Sequence, residues 1–263
     1  MYKQSEKEKI LIQEMEKIGI NYKDEIPLNA EPGFGVCNEF LDKEKMDQFL
    51  RYYDLLLEWN QKINLTAITE FRQVVIRHFV DSLSICRLIS PEYGQKMIDV
   101  GTGAGFPGIP IKIMFPSLNI TLLDSLGKRV TFLQTVIEKL NLKKIEAIHG
   151  RAEELARMDD YRGEYDYAVS RAVSNISTIA EYCVPFLKKN GCFIAYKSME
   201  LEKELSNHQG SLQKLGAELV QVDKFKIGDD DNSMERAFAV IKKIDETPEK
   251  YPRRSGIPEK RPL

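Results

Sequence analysis

The stretch Met97-Ile98-Asp99-Val100-Gly101-Thr102-Gly103-Ala104-Gly105-Phe106-Pro107-Gly108 decides the fold. It begins as a short apolar strand with an acid inside it. Alternating glycines follow, and Pro107 opens a helix. Glycines permit positive φ and let a ligand approach the backbone closely. A helix start behind them offers free N–H groups. Strand, glycine loop and helix together form a cradle for a small molecule, most often a nucleotide-like cofactor.

Downstream of the loop, strands alternate with helices. Strands are predicted at Met97–Val100, Ile120–Asp124, Ile145–His149, Tyr165–Ser170, Gly191–Lys197, Glu218–Lys226 and Arg236–Lys243. Helical stretches separate the first five, among them Lys128–Leu140 with Val130, Leu133, Ile137 and Leu140 on one face. This order predicts an α/β, Rossmann-like sheet, mostly parallel, with helices on both sides. Only Ile227–Glu235 joins the last two strands, too short for a crossover helix, so they pair as an antiparallel hairpin.

Upstream, the spacing of Leu11, Met15 and Ile18 predicts a helix from about Ser5 to Gly19. Asn29–Gly35 reads as a loop. A second helix runs from about Asp42 to Asn60, with Met46, Phe49, Leu50, Tyr53 and Leu57 as its apolar stripe. A third runs from about Glu70 to Ile89, with Val74, Val75, Phe79 and Leu83 inward. The chain therefore divides into a helical N-terminal extension (1–95), a cofactor-binding domain (96–246) and a basic, proline-rich tail (247–263) with little regular structure.

With 263 residues, 43% hydrophobic and 30% charged, the chain can bury a sizeable core. A net charge of −2 leaves nucleic-acid binding to a local patch. The polar, mixed-charge start lacks the apolar core of a signal peptide, and no apolar run is long enough to span a bilayer. Cys37, Cys86, Cys183 and Cys192 are scattered, without metal-ligand spacing, and read as thiols in a reducing cytoplasm.

Two patterns overlap in the glycine loop. Gly103-Ala104-Gly105-Phe106-Pro107-Gly108 fits the dinucleotide pattern G-x-G-x-x-G, which alone is weak. Asp99-Val100-Gly101-Thr102-Gly103-Ala104-Gly105 fits D-x-G-x-G-x-G. That pattern resembles the S-adenosyl-L-methionine-dependent methyltransferases, and it is the more demanding match. Asp124 ends the second strand, where an acid can accept hydrogen bonds from a ribose or cap the next helix. Arg151-Ala152-Glu153-Glu154 follows the third strand and reads either as a cofactor loop or as a helix start with favourable acids. Ser170-Arg171-Ala172-Val173 follows the fourth, at the sheet edge where such folds meet their ligands. No Asn-Pro-Pro-Tyr or Pro-Cys motif is present, which disfavours exocyclic amines and pyrimidine C5 as methyl acceptors.

Further runs carry a specific resemblance. They are Trp59-Asn60-x-x-x-Asn64-Leu65-Thr66, Arg77-His78-x-x-Asp81-Ser82-Leu83, the glycine loop through Pro110, Asp124-Ser125-x-x-Lys128-Arg129-x-x-Phe132-Leu133, and Tyr251-Pro252-Arg253-Arg254-x-Gly256-x-Pro258. With Arg151–Glu154 and Ser170–Val173, they resemble the bacterial 16S rRNA (guanine-N7) methyltransferase family, also called glucose-inhibited division protein B. The resemblance covers roughly Asp42 to the C-terminus. It implies S-adenosyl-L-methionine as cofactor and a guanosine N7 in the 530 loop of 16S rRNA, or of the small ribosomal subunit, as substrate. It implies cofactor contacts at Gly101, Phe106, Asp124, Ala152, Glu153 and Arg171, with Gly103 and Gly105 in the same loop.

Guanine N7 has an in-plane lone pair and no proton, so no catalytic acid, base or metal is nominated. His78 reads as a packing group. Trp59 reads as core more than as a stacking platform, and Asn60 and Asn64 as caps or substrate-side groups. Lys250–Leu263 carries five basic residues against Glu259, a local charge of +4. That makes Arg253 and Arg254 candidate phosphate contacts, with Lys128, Arg129 and Lys197 nearer the cofactor edge. Two other readings stay open at this point: a nicotinamide-dependent oxidoreductase, and a non-catalytic RNA- or ribosome-binding protein with a relic pocket.

Overall fold

A computed structural model describes residues 2–23, 40–171, 174–207, 210–229 and 233–263. The loop expected at 29–35 and Cys37 lie outside the described residues. Two helices come first, α1 (Gln4–Glu16) and α2 (Lys43–Asn60). Asp42 caps α2 by accepting a hydrogen bond from the Lys45 N–H at 2.8 Å.

The third helix fills the stretch expected at Glu70–Ile89, but it is not α-helical throughout. Glu70 caps α3 (Phe71–Val74), and the backbone then widens into a π-helical segment at Val75–Val80. It narrows through α4 (Asp81–Leu83) and ends in a 3₁₀ turn at Ser84–Arg87. A π insertion shifts the side-chain register by one position. Here His78 and Asp81 become buried along with the apolar residues, and the helix is enclosed nearly all round. A 3.6-residue pattern cannot reveal such a shift.

The sheet has seven strands: β1 (Lys96–Val100), β2 (Asn119–Asp124), β3 (Ile145–His149), β4 (Tyr165–Ser170), β5 (Leu187–Lys197), β6 (Ala217–Ile227) and β7 (Met234–Lys243). Their order is β3-β2-β1-β4-β5-β7-β6, and β7 alone runs against the rest. Sequence explains why β7 sits inside and β6 at the edge. Ala237-Phe238-Ala239-Val240-Ile241 is a continuous apolar run, as a strand covered on both faces needs. Most residues of β6 between Glu218 and Lys226 are exposed or half-buried, which suits an edge.

Successive side chains along each strand face opposite layers. Met97, Leu122, Val169, Ile194 and Phe238 join α1, α2, α5 (Gly108–Met114) and α6 (Gly127–Lys139) in one core. The helices before β1 thus share a single core with the sheet. Ile98, Leu123, Ala168, Phe193 and Ala239 join α7 (Ala152–Leu155) and α8 (Ile176–Cys183) in the other. Trp59 packs at 5.7 Å on Phe132, and Asn60 accepts the N–H groups of Leu65 and Thr66. Cys86 and Cys183 are buried free thiols, and Cys192 is half-buried. No helix among the described residues is long and apolar enough to cross a membrane.

The tail has little regular structure, as expected, and it is fastened down along its length. Arg162 donates to the carbonyls of Thr247 and Tyr251, and Arg157 to that of Pro252. The Arg253 guanidinium grips Glu181 of α8 with contacts of 2.6 to 3.1 Å. The Thr178 hydroxyl donates to the Pro258 carbonyl at 3.1 Å. A short helix, Ile257–Lys260, ends the segment.

Candidate active site

The carboxyl ends of the parallel strands carry two adjoining cavities. The first, about 210 Å³, lies over β1 and β2. Gly101, Asp124, Ala152 and Glu153 line it, together with Tyr182, Gly256 and Glu259. The second, about 510 Å³, lies over β4, β5 and β7 and is lined by Arg77, His78, Arg171, Lys197 and Arg236, among others. Ser174 borders both.

The glycine loop is built from its own backbone. Gly101, Gly103 and Gly105 all take positive φ, which is why glycine recurs at every second position. The Gly103 N–H donates to Asp124 Oδ2 at 2.9 Å, and the other Asp124 oxygen accepts the Leu126 N–H at 2.9 Å. Asp124 is therefore fixed at the cleft floor, with Arg129 at 3.5 Å. Asp99 lies beneath the loop. Its Oδ2 accepts the Thr102 hydroxyl at 2.6 Å and the Gly108 N–H at 2.8 Å. Its Oδ1 is buried without a partner among the described residues. Burial pushes the Asp99 carboxyl up to about 6, although the Thr102 and Gly108 bonds and the Arg171 charge pull the other way.

Gly105 and Phe106 face away from the first cavity, towards the helices. The Tyr52 hydroxyl donates to the Ala104 carbonyl. Phe106 packs at a tilt on Tyr52 at 5.3 Å and stacks on His78 at 4.5 Å, and the Arg171 guanidinium lies 5.1 Å from its ring. Tyr52 had escaped the apolar stripe read from the sequence, yet it is wholly buried and clamps the loop. His78 packs, as its sequence reading held. Burial, helped by the Arg171 charge, drops its imidazole to about 3, so the ring is neutral near pH 7.

Arg171 borders the second cavity, not the first. Its Nη1 donates to Asp81 Oδ2 at 2.9 Å, while Arg236 Nε donates to Asp81 Oδ1 at 2.8 Å. The π segment and the reversed strand β7 bring these groups together, so neither Asp81 nor Arg236 could be nominated from local spacing. Lys197 also lies here, and its ammonium is held by the Ser174 carbonyl and by Glu204. Lys128 is exposed at the start of α6, and Arg254 is exposed on the tail. Glu153 accepts the Gly256 N–H at 3.0 Å, so the loop after β3 and the tail together form one wall of the cleft. No group of three or more metal-ligating side chains is found among the described residues.

The first cavity suits a nucleoside. It has an acid fixed at the end of β2 and the glycine backbone of Gly101 in its lining, and beside it Gly103 is open to approach and the buried Asp99 Oδ1 lacks a partner among the described residues. These features agree with the more demanding of the two glycine patterns.

Comparison with known proteins points the same way. The family described as rRNA small subunit methyltransferase G (GidB) matches residues 45–256. A protein of Lachnoclostridium phytofermentans named ribosomal RNA small subunit methyltransferase G is 50% identical over 223 residues, covering 85% of this chain and 91% of that protein. Its namesake in Acetivibrio thermocellus is 50% identical over 236 residues, covering 90% and 95%. The namesake in Alkaliphilus metalliredigens is 47% identical over 230 residues, covering 86% and 95%. The glycine loop, its clamped acids and these matches have one reading: the chain belongs to the rRNA small subunit methyltransferase G family.

Proposed function

We propose that this protein uses S-adenosyl-L-methionine to methylate N7 of a guanosine in the 530 loop of 16S rRNA. The observation that supports it best is the pairing of a glycine-loop cleft with a cation-lined cavity across a shared wall at Ser174. Gly101, Asp124, Ala152 and Glu153 would hold the cofactor directly. Gly103, Gly105, Phe106 and Arg171 would set the shape of the loop. When bound, the cofactor supplies a methyl group on a positively charged sulfur.

Guanine N7 would take that methyl group on its own lone pair, so the protein has no proton to remove. The carbon–sulfur bonding pair would remain on sulfur, so the positive charge would pass to the purine. The protein's task is to align nitrogen, carbon and sulfur and to keep that charge shift favourable. N7 lies in the deep, narrow groove of A-form RNA, so the target base must be unstacked to reach it. Lys128 and Arg254, both exposed, would meet backbone phosphates, with Arg129 beside Asp124 at the rim, whereas Lys197 is taken up by Ser174 and Glu204. Arg253, held by Glu181, would orient the tail that carries Arg254. In this reading the enzyme works in the cytoplasm on the small ribosomal subunit or its RNA.

The test is methyl transfer from labelled S-adenosyl-L-methionine to small-subunit RNA and particles from cells lacking the enzyme. The expected product is a single 7-methylguanosine in the 530 loop, identified by mass spectrometry. Label on another nucleotide would overturn the substrate. Cofactor binding without transfer to any form of the RNA would favour a binding protein.

The cofactor reading also predicts a pH effect. Raising a buried acid's pKa favours its protonated form, so the Asp99 contribution to the free fold is present below about pH 4 and lost as pH rises through about 6. A ligand cation satisfying Asp99 Oδ1 would offset that loss. The thermal shift given by saturating cofactor should therefore grow between pH 5 and pH 7. In Asp99→Asn the shift should not depend on pH over that range. A wild-type shift that is flat with pH would contradict this role.

A further inference from the structure

The second cavity contains two carboxylates, and the structure treats them differently. Both oxygens of Asp81 are taken, one by Arg171 and the other by Arg236, and the residue is 2% exposed. Glu204, on the helix Leu201–Asn207, accepts both of its hydrogen bonds on one oxygen. Lys197 Nζ lies 2.7 Å from Oε2 and the Ile176 N–H 3.1 Å from the same atom. Oε1 accepts no hydrogen bond from the described residues, and the side chain, 28% exposed, borders the cavity.

We propose that Glu204 is the specificity-determining residue that reads the target guanine through its Watson–Crick edge. This deepens the guanosine reading given above and rests on it. Chemistry at N7 limits how the base can be recognised. The commonest guanine contact, an arginine fork on O6 and N7, would cover the reacting nitrogen. Recognition must then come from the far side of the ring. That side presents two donors, N1–H and the 2-amino group, and the open oxygen of a carboxylate can accept from them. Adenine presents a lone pair at N1, which a carboxylate repels, and has no 2-amino group.

Neutral His78 adds no charge to the cavity. Arg77, Arg171, Arg236 and Lys197 outnumber Asp81 and Glu204, leaving positive charge for the phosphate of the same nucleotide. A volume of about 510 Å³ lies within the range of small-molecule pockets. Lys197, itself tied to the Ser174 carbonyl, fixes Glu204 through its Oε2.

The experiment pairs a protein change with a base change. Small-subunit particles are reconstituted with guanosine or inosine at the target position, inosine lacking only the 2-amino group. The kcat/KM for methyl transfer is measured with the wild-type chain, Glu204→Ala and Glu204→Met, and cofactor affinity is measured in each. Glu204→Met fills a similar volume with no acceptor and serves if the alanine variant fails to fold. The wild type should prefer guanosine by roughly 10–100-fold, the loss of one charge-assisted bond. In the variants the preference should fall below about 3-fold, with cofactor affinity unchanged. A variant that keeps the wild-type preference, or a wild type indifferent to inosine, would overturn the assignment to Glu204 while leaving the reaction standing. A wild type that binds cofactor but methylates neither particle would overturn the guanosine reading itself, and this assignment with it.

Discussion

Replacing Gly105 by alanine is expected to lower the melting temperature by roughly 5–15 °C and to abolish measurable cofactor binding. A Cβ at this position would lie 2.4 Å from Ile109 Cδ1 and 2.8 Å from the Tyr52 hydroxyl oxygen. Both neighbours are wholly buried, so neither can withdraw into solvent. The backbone at φ +94° adds strain for any L side chain. Overpacking and strain together come to about 2–4 kcal/mol. Gly103→Ala is the control. Its φ of +63° carries similar strain, but nothing lies within 4 Å of the added methyl, so about 1 kcal/mol is expected. Thermal melts and calorimetric titration of both variants decide the matter. Equal losses would mean that backbone conformation alone, without the Tyr52 clamp, sets the loop.

Arg253→Ala should be nearly as damaging, and to the cofactor as well as to RNA. Glu181 is completely buried, and its carboxylate takes the backbone N–H and the guanidinium of Arg253. Truncating the arginine leaves a buried charge with little compensation, a loss of about 2–4 kcal/mol once the partial exposure of Arg253 is allowed for. The tail would then detach from α8. Gly256 and Glu259, which line the cofactor cleft, would detach with it. Removing residues 251–263 should therefore weaken cofactor and RNA binding together. Arg253→Lys keeps the charge but not the fork, so it should recover only part of the loss. If Arg253→Ala melted normally and lost RNA binding alone, the arginine would be a phosphate contact as its sequence context implied, and the pairing with Glu181 would be incidental.

The cofactor half of the site was legible in the sequence because it is local. Asp99, the three glycines, Asp124 and Ala152-Glu153 each lie at the end of a strand recognisable from its own apolar run. The sheet followed from the same runs, and the hairpin from the short connection between β6 and β7. Of the other half, Arg171 and Lys197 were named, but their surroundings were not legible because they are assembled from afar. Asp81 meets Arg236 across 155 positions of sequence, and it does so through a π segment that no helical period reveals. Arg253 escaped for a related reason. It looks like its basic neighbours until its partner is known, and Glu181 sits unannounced on an amphipathic helix.

The order of the strands has a practical consequence. One cavity is bounded mainly by the loops of β1, β2 and β3, the other by β4, β5 and β7, and among the described residues Ser174 borders both. His78 and Arg171 of the second touch Phe106 of the glycine loop, so alterations there reach both, whereas those farther from the loop need not. Because β7 runs backwards, it delivers Arg236 from its beginning, just after the connection from β6. Exchanging Met234, at the start of β7, would redraw one side of the second cavity without touching the lining of its neighbour. Anyone wishing to redirect such a protein to a new acceptor would start there, keeping the donor half as an interchangeable part.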